Sequence, residues 1–127
     1  MKAKRERKAV DEALCRHTLI ELHGCRPDVL RKTATIRGRM LAAVRAGGGT
    51  IVKSTFHQFS PWGVSGVVVI TESHVTIHTW PEHGYAAVDV FSCSPRLDHE
   101  QILEILVQDL GARRVRRRTF RRGTKVA

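Results

Sequence analysis

Three apolar runs rich in β-branched and aromatic side chains, residues 64–70, 75–80 and 85–92, follow one another with only short turn-like segments between them. Runs of this length and composition form strands, and connections this brief make neighbouring strands antiparallel. A sheet of that kind must have one face covered, and two segments can supply the cover. Pro27 and Asp28 open the first, which carries Leu30, Ala34, Leu41 and Val44 at helical spacing and stops at Gly47, Gly48 and Gly49. Its first half is expected to be irregular, because Thr33, Thr35 and Gly38 are poor helix formers. The second begins at Asp98, an N-cap with Gln101 three residues on, and lines Ile102, Leu103, Leu106 and Leu110 along one face before Gly111. Residues 17–23 and 50–56 read as further strands, 59–63 as a turn and 115–120 as an Arg-rich edge strand. The expected fold is α+β, a two-layer sandwich of a mainly antiparallel sheet with two helices packed on one face. A chain of 127 residues has the length of one domain, 1–127, with a single core.

The positive excess is confined to the ends. Of the net +10, residues 113–127 hold eight Lys and Arg with no acid, and residues 1–8 hold five against one Glu. Residues 9–112 keep nine basic and eleven acidic side chains, a body of net charge −2. A basic tail can bind polyanions by counterion release, and a small nucleic-acid-binding protein using residues 113–122 is the reading from a different class. It leaves the central segment unexplained, and the plainer reading of such a run is a solvated edge. No run approaches the ~18 apolar residues of a membrane span, and the charged start is not followed by an apolar signal segment. A cytoplasmic protein is expected.

Cys15, Cys25 and Cys93 form neither an even set nor a CxxC pair, so reduced thiols are expected, with Cys15 and Cys25 structural. His74 and His78 are spaced for one metal ion only on a helix; on a strand they stand about 13 Å apart. No metal is expected.

What sets the central segment apart is its polar content. Gly63-Val64-Ser65-Gly66, Glu72-Ser73-His74, Ile77-His78-Thr79-Trp80-Pro81-Glu82 and Asp89-Val90-Phe91-Ser92-Cys93 together resemble the signature of the prokaryotic, pyruvoyl-dependent S-adenosylmethionine decarboxylase proenzymes. The resemblance extends more loosely through His17, Glu21, Gly24-Cys25 and Gly49-Thr50 and downstream to about Gly123. It implies that the chain cuts itself between Glu72 and Ser73, giving a β chain, 1–72, and an α chain, 73–127. The Ser73 hydroxyl would attack the Glu72 carbonyl, and elimination from the resulting ester would turn Ser73 into a pyruvoyl group. Such a group forms a Schiff base with the substrate amine and takes up the electrons left by carbon dioxide loss, so no pyridoxal phosphate is needed. The same resemblance assigns Ser65 and His78 to processing, with His78 as the base, and Cys93 to general-acid protonation of the product. Phe59 and Trp80 would contact the nucleoside and Glu82 the ribose hydroxyls. The product would be decarboxylated S-adenosylmethionine, the aminopropyl donor for spermidine biosynthesis. Pyruvoyl chemistry also suits ornithine or arginine, and Phe59, Trp80 and Glu82 favour the nucleoside substrate over these.

Register adds a constraint. If residues 81–84 turn a hairpin, Ser73 faces residue 92 and lies beside Cys93; if 71–74 turn the preceding one, Ser65 falls near residue 80, close to His78. Ser73 and His78 are themselves five residues apart, about 16 Å on a strand. Two half-sites that far apart predict a two-fold homodimer with sites shared across the interface.

Overall fold

The computed structural model describes residues 13–126; the charged segment 1–8 lies outside the described residues. Strand β1 (Cys15–His23) is followed by a helical turn α1 (Pro27–Leu30), helix α2 (Thr33–Ala46) and strands β2 (Ile51–Gln58), β3 (Val64–Ile70) and β4 (Ser73–Trp80). A short 3-10 turn, Pro81–His83, leads to β5 (Tyr85–Ser92), helix α3 (His99–Leu110) and β6 (Arg114–Arg122). The six strands form one sheet in the order β2-β3-β4-β5-β1-β6, and every neighbouring pair is antiparallel.

Alternation along the strands decides which face the helices cover. Ile20, Leu22, Val64, Val68, Val75, Ile77, Val88 and Val90 point to one side and are buried against Ile36, Met40 and Val44 of α2 and Ile102, Leu106 and Leu110 of α3. Each such side chain contributes about 1.5–3 kcal/mol of hydrophobic stabilisation. The opposite face, with Ser65, Val69, His78, Trp80 and Phe120, carries no helix among the described residues. The expected α+β sandwich is therefore the observed one.

The first helical segment is broken rather than merely irregular. Lys32 is extended, with φ −113° and ψ 132°, which separates α1 from α2. Gln58 at the end of β2 fills the break: its Oε1 accepts from the Thr33 backbone N–H at 2.9 Å and its Nε2 donates to the Arg31 carbonyl at 2.7 Å. In α3 the Asp98 side chain accepts from the Gln101 N–H at 3.0 Å, and Gly111 closes the helix at φ 71°, a left-handed position that glycine takes without strain. The Arg-rich run is an edge strand, β6, longer than expected and, among the described residues, paired only to β1.

Candidate active site

Ser73 opens β4 directly after the two-residue turn Thr71-Glu72, and its backbone sits at φ 147°. A non-glycine residue there carries strain on the order of 1–3 kcal/mol, held in place only by its surroundings. Those surroundings grip Glu72 from two sides. Its carbonyl oxygen accepts the Cys93 backbone N–H at 2.9 Å, and its carboxylate accepts the Thr50 N–H at 3.1 Å. A hydrogen bond from Thr71 first, and then that from Thr50, holds the Glu72 carboxyl below its ordinary range. The Thr71 N–H in turn donates to the Thr50 carbonyl at 3.0 Å. The Glu72–Ser73 peptide thus leads into a strained residue and is polarised, with the Cys93 amide donating to its oxygen as an oxyanion donor would.

The β4–β5 ladder pairs Ser73 with Ser92, as the register argument requires, and Ser73 Oγ lies 3.3 Å from Cys93 Sγ. The β3–β4 ladder is two positions tighter than expected. The hairpin turns on two residues rather than four, so Ser65 lies opposite His78 itself. Ser65 Oγ and His78 Nδ1 share a 2.7 Å hydrogen bond at a solvent-exposed position.

The expectation of reduced thiols fails for two of the three cysteines. Cys15 and Cys93 are joined by a disulfide across 78 residues of sequence. The β1–β5 ladder explains it: one position beyond the Arg16–Ser92 pair, the two side chains project from the same sheet face. An odd cysteine count leaves room for one bridge, and only the strand register reveals which residues it joins. Cys25 is free and buried, and burial pushes its thiol up to about 11, too high for acid or nucleophile duty near neutrality.

Trp80 stacks on Tyr85 at 5.2 Å between ring centroids, and Tyr85 stacks on His23 at 5.2 Å, forming an aromatic row across the open face. The Tyr85 hydroxyl donates to Glu21; burial, then this bond and its charge, push the phenol up to about 12. Glu82 lies exposed in the 3-10 turn directly after Trp80. Phe59 is exposed in the loop after β2, its ring against His57 rather than Trp80. Trp80 and Glu82 lie two residues apart, whereas Phe59 follows β2 on the other side of β3, where its N–H donates to the Gly63 carbonyl at 2.8 Å. Among the described residues, no cluster of three or more His, Cys, Asp or Glu is arranged to hold a metal ion, and no helix is long and apolar enough to cross a membrane.

The family model described as S-adenosylmethionine decarboxylase matches residues 16–123 of the chain. The chain belongs to that family. The S-adenosylmethionine decarboxylase proenzyme of Thermotoga petrophila is 50% identical over 104 residues, spanning 82% of this chain and 80% of the relative. That of Caldicellulosiruptor saccharolyticus is 47% identical over 120 residues, or 91% and 97% of the two chains. The crystal structure of the adenosylmethionine decarboxylase from Aquifex aeolicus superposes with a TM-score of 0.82 at 34% identity, covering 87% of this chain and 92% of that one. Against this family background, two features beside the cleavage turn leave little mark in the sequence. The Cys93 amide leaves no residue-type signal at all. Cys15, although visible, sits just before the strand start that composition indicated.

Proposed function

We propose that the chain is a self-processing S-adenosylmethionine decarboxylase whose prosthetic group is a pyruvoyl made from Ser73. The observation that carries this reading is the Glu72–Ser73 peptide, strained at Ser73 and hydrogen-bonded at its carbonyl oxygen by the Cys93 N–H. The residues present fit such a group: Ser73 supplies the atoms, its hydroxyl faces Cys93, and the turn is pinned so that the attacked carbonyl stays put.

Ser73 Oγ attacks the Glu72 carbonyl carbon, negative charge develops on the oxygen that the Cys93 amide holds, and the amide becomes an ester. His78, oriented by Ser65, removes the Ser73 Cα proton; elimination releases residues 1–72 and leaves residue 73 as dehydroalanine, which loses ammonia on hydrolysis. The pyruvoyl supplies an electron-withdrawing carbonyl that binds the substrate amine and stabilises the charge left when carbon dioxide departs. Around it the chain's own groups bind and protonate. Phe59 and Trp80 give aromatic surfaces for the adenine, Glu82 accepts the ribose hydroxyls, and the Cys93 thiol, when reduced, gives its proton to the product.

His78 and Ser73 stand at opposite ends of β4, about 16 Å apart. The two half-sites become one if two open sheet faces meet about a two-fold axis, so that His78 and Ser65 of one protomer serve Ser73 and Cys93 of the other. Exposed Val69, Trp80 and Phe120 on that face suit such burial. The active protein is accordingly read as a cytoplasmic homodimer of cleaved protomers. Decarboxylated S-adenosylmethionine, its product, is an aminopropyl donor of the kind spermidine synthesis consumes.

Intact-mass measurement of purified protein tests the processing, with Ser73→Ala as control. Two fragments broken between residues 72 and 73, the downstream one lacking a free amino terminus, are expected; an uncut wild-type chain under active conditions defeats the proposal. Carbon dioxide release should follow addition of S-adenosylmethionine and not of ornithine or arginine.

A further inference from the structure

We propose that Cys15 and Cys93 form a reversible redox lock on the decarboxylase, an inference that rests on the role proposed for Cys93. Three features of the structure point to it. The bridge consumes the thiol that the reaction needs: a disulfide sulfur carries no proton, so in the 3.3 Å contact with Cys93 the Ser73 hydroxyl must be the donor. Within the single chain the bridge is accessible, because Cys93 is exposed and Cys15 half-buried, unlike the buried Cys25. It also lies beside a fixed positive charge. Arg122 is the cross-strand neighbour of Cys15, and its guanidinium sits 5.6 Å above the Phe91 ring and 3.1 Å from His17 Nδ1. A nearby guanidinium favours the thiolate, the form that attacks disulfides.

The co-reactant is a small-molecule disulfide of the glutathione type. The thiolate of one cysteine attacks it, forming a mixed disulfide and releasing one thiol; the second cysteine then attacks the mixed disulfide and releases the other. Two protein thiols are oxidised by two electrons, one small disulfide is reduced to two thiols, and a dithiol reductant reverses the exchange. Cleavage adds a consequence peculiar to this placement. Cys15 belongs to residues 1–72 and Cys93 to residues 73–127, so the bridge ties the two product chains together covalently. The locked enzyme would be cut yet still joined, with its proton donor withheld.

The test starts from processed enzyme prepared under reductant and transferred to a series of glutathione disulfide to glutathione ratios. Denaturing mass spectrometry without reductant and carbon dioxide release are read on the same samples. At oxidising ratios the wild type should run as one joined species, two hydrogens lighter than its fragments together, with activity down at least tenfold. Dithiothreitol should return both fragments and activity to within twofold. Cys15→Ser and Cys15→Ala should match reduced wild type in activity, never give the joined species and hold their activity where the wild type has lost it. The lock is overturned if wild type never joins, if joined enzyme keeps full activity, or if the Cys15 variants lose activity at the same ratios as wild type. An uncut chain under reductant would instead overturn the decarboxylase reading, and the bridge would still be scored by the mass of the intact chain.

Discussion

The backbone N–H of Cys93 donates a 2.9 Å hydrogen bond to the carbonyl oxygen of Glu72, while the Cys93 side chain approaches the Ser73 hydroxyl. One residue therefore faces the cleavage site with two separable groups, an amide suited to the oxyanion of self-cleavage and a sulfur suited to proton delivery afterwards.

Separation of those groups predicts a split phenotype. Cys93→Ala keeps the amide, so self-cleavage should persist within about tenfold of wild type, whereas decarboxylation should fall by about 10²–10⁴, the usual worth of a positioned general acid. Fragment formation on denaturing gels and carbon dioxide release measure the two steps. Loss of cleavage as complete as in Ser73→Ala would mean that the amide does not act independently of the thiol.

Buried His99 makes stability pH-dependent. Its Nδ1 meets Thr18 Oγ1 at 2.8 Å and its Nε2 meets Ser92 Oγ at 2.8 Å, tying α3 to β1 and β5. Burial, chiefly, with Arg16 and Arg117 adding to it against the opposing pull of Asp98 and Glu100, lowers His99 from 6.5 to about 4. The folded state then binds fewer protons than the unfolded state between those values, so stability rises with pH. It is complete above 6.5 and is lost as pH falls toward 4. His74, lowered chiefly by burial, acts with the same sign. Thermal melts of wild type should drop between pH 7 and pH 5; His99→Asn should melt lower throughout and show a shallower drop. Parallel curves would remove His99 from the account.

Close packing at Gly66 gives a stability prediction. A Cβ at this position would lie 2.0 Å from the ring of Phe56, its cross-strand partner on β2. Gly66→Ala should destabilise by about 1–3 kcal/mol through overpacking, read as a lower urea midpoint. Adding Phe56→Leu should recover part of the loss. Equal destabilisation in the double variant would place the strain elsewhere, and it matters for the site because Ser65 is the adjacent residue.

What could be read from sequence was what strand alternation and turn length control. The pairing of Ser73 with residue 92 followed from a hairpin whose turn, from Pro81 to Gly84, is marked by proline and glycine. The Ser65 partner was misplaced by two residues because nothing in Thr71-Glu72-Ser73-His74 marks a two-residue turn, and Ser73 adopts a φ of 147° that serine rarely takes. The disulfide joins residues 78 apart, and only the β1–β5 register, a tertiary fact, brings them together. His99 was legible as a helix residue, yet its burial between Thr18 and Ser92 depends on how α3 lies over two strands. The break before α2 depends on Gln58, remote in sequence from the helix it interrupts.

Shared sites predict complementation between two inactive chains. Alone, Ser73→Ala lacks the attacking hydroxyl, and His78→Ala lacks the base that completes cleavage. His78 is bonded to Ser65 at 2.7 Å but sits about 16 Å along β4 from Ser73. In a mixed dimer the His78→Ala protomer keeps its own Ser73 and borrows His78 from the Ser73→Ala protomer, giving one complete site of two. Co-expressed chains carrying different affinity tags should therefore show cleavage of the His78→Ala chain only, with about a quarter of wild-type activity if half the dimers are mixed and each has one working site. Cleavage within one protomer would instead leave both chains intact in the mixture. A His78→Ala chain cut to completion on its own would remove His78 from processing altogether.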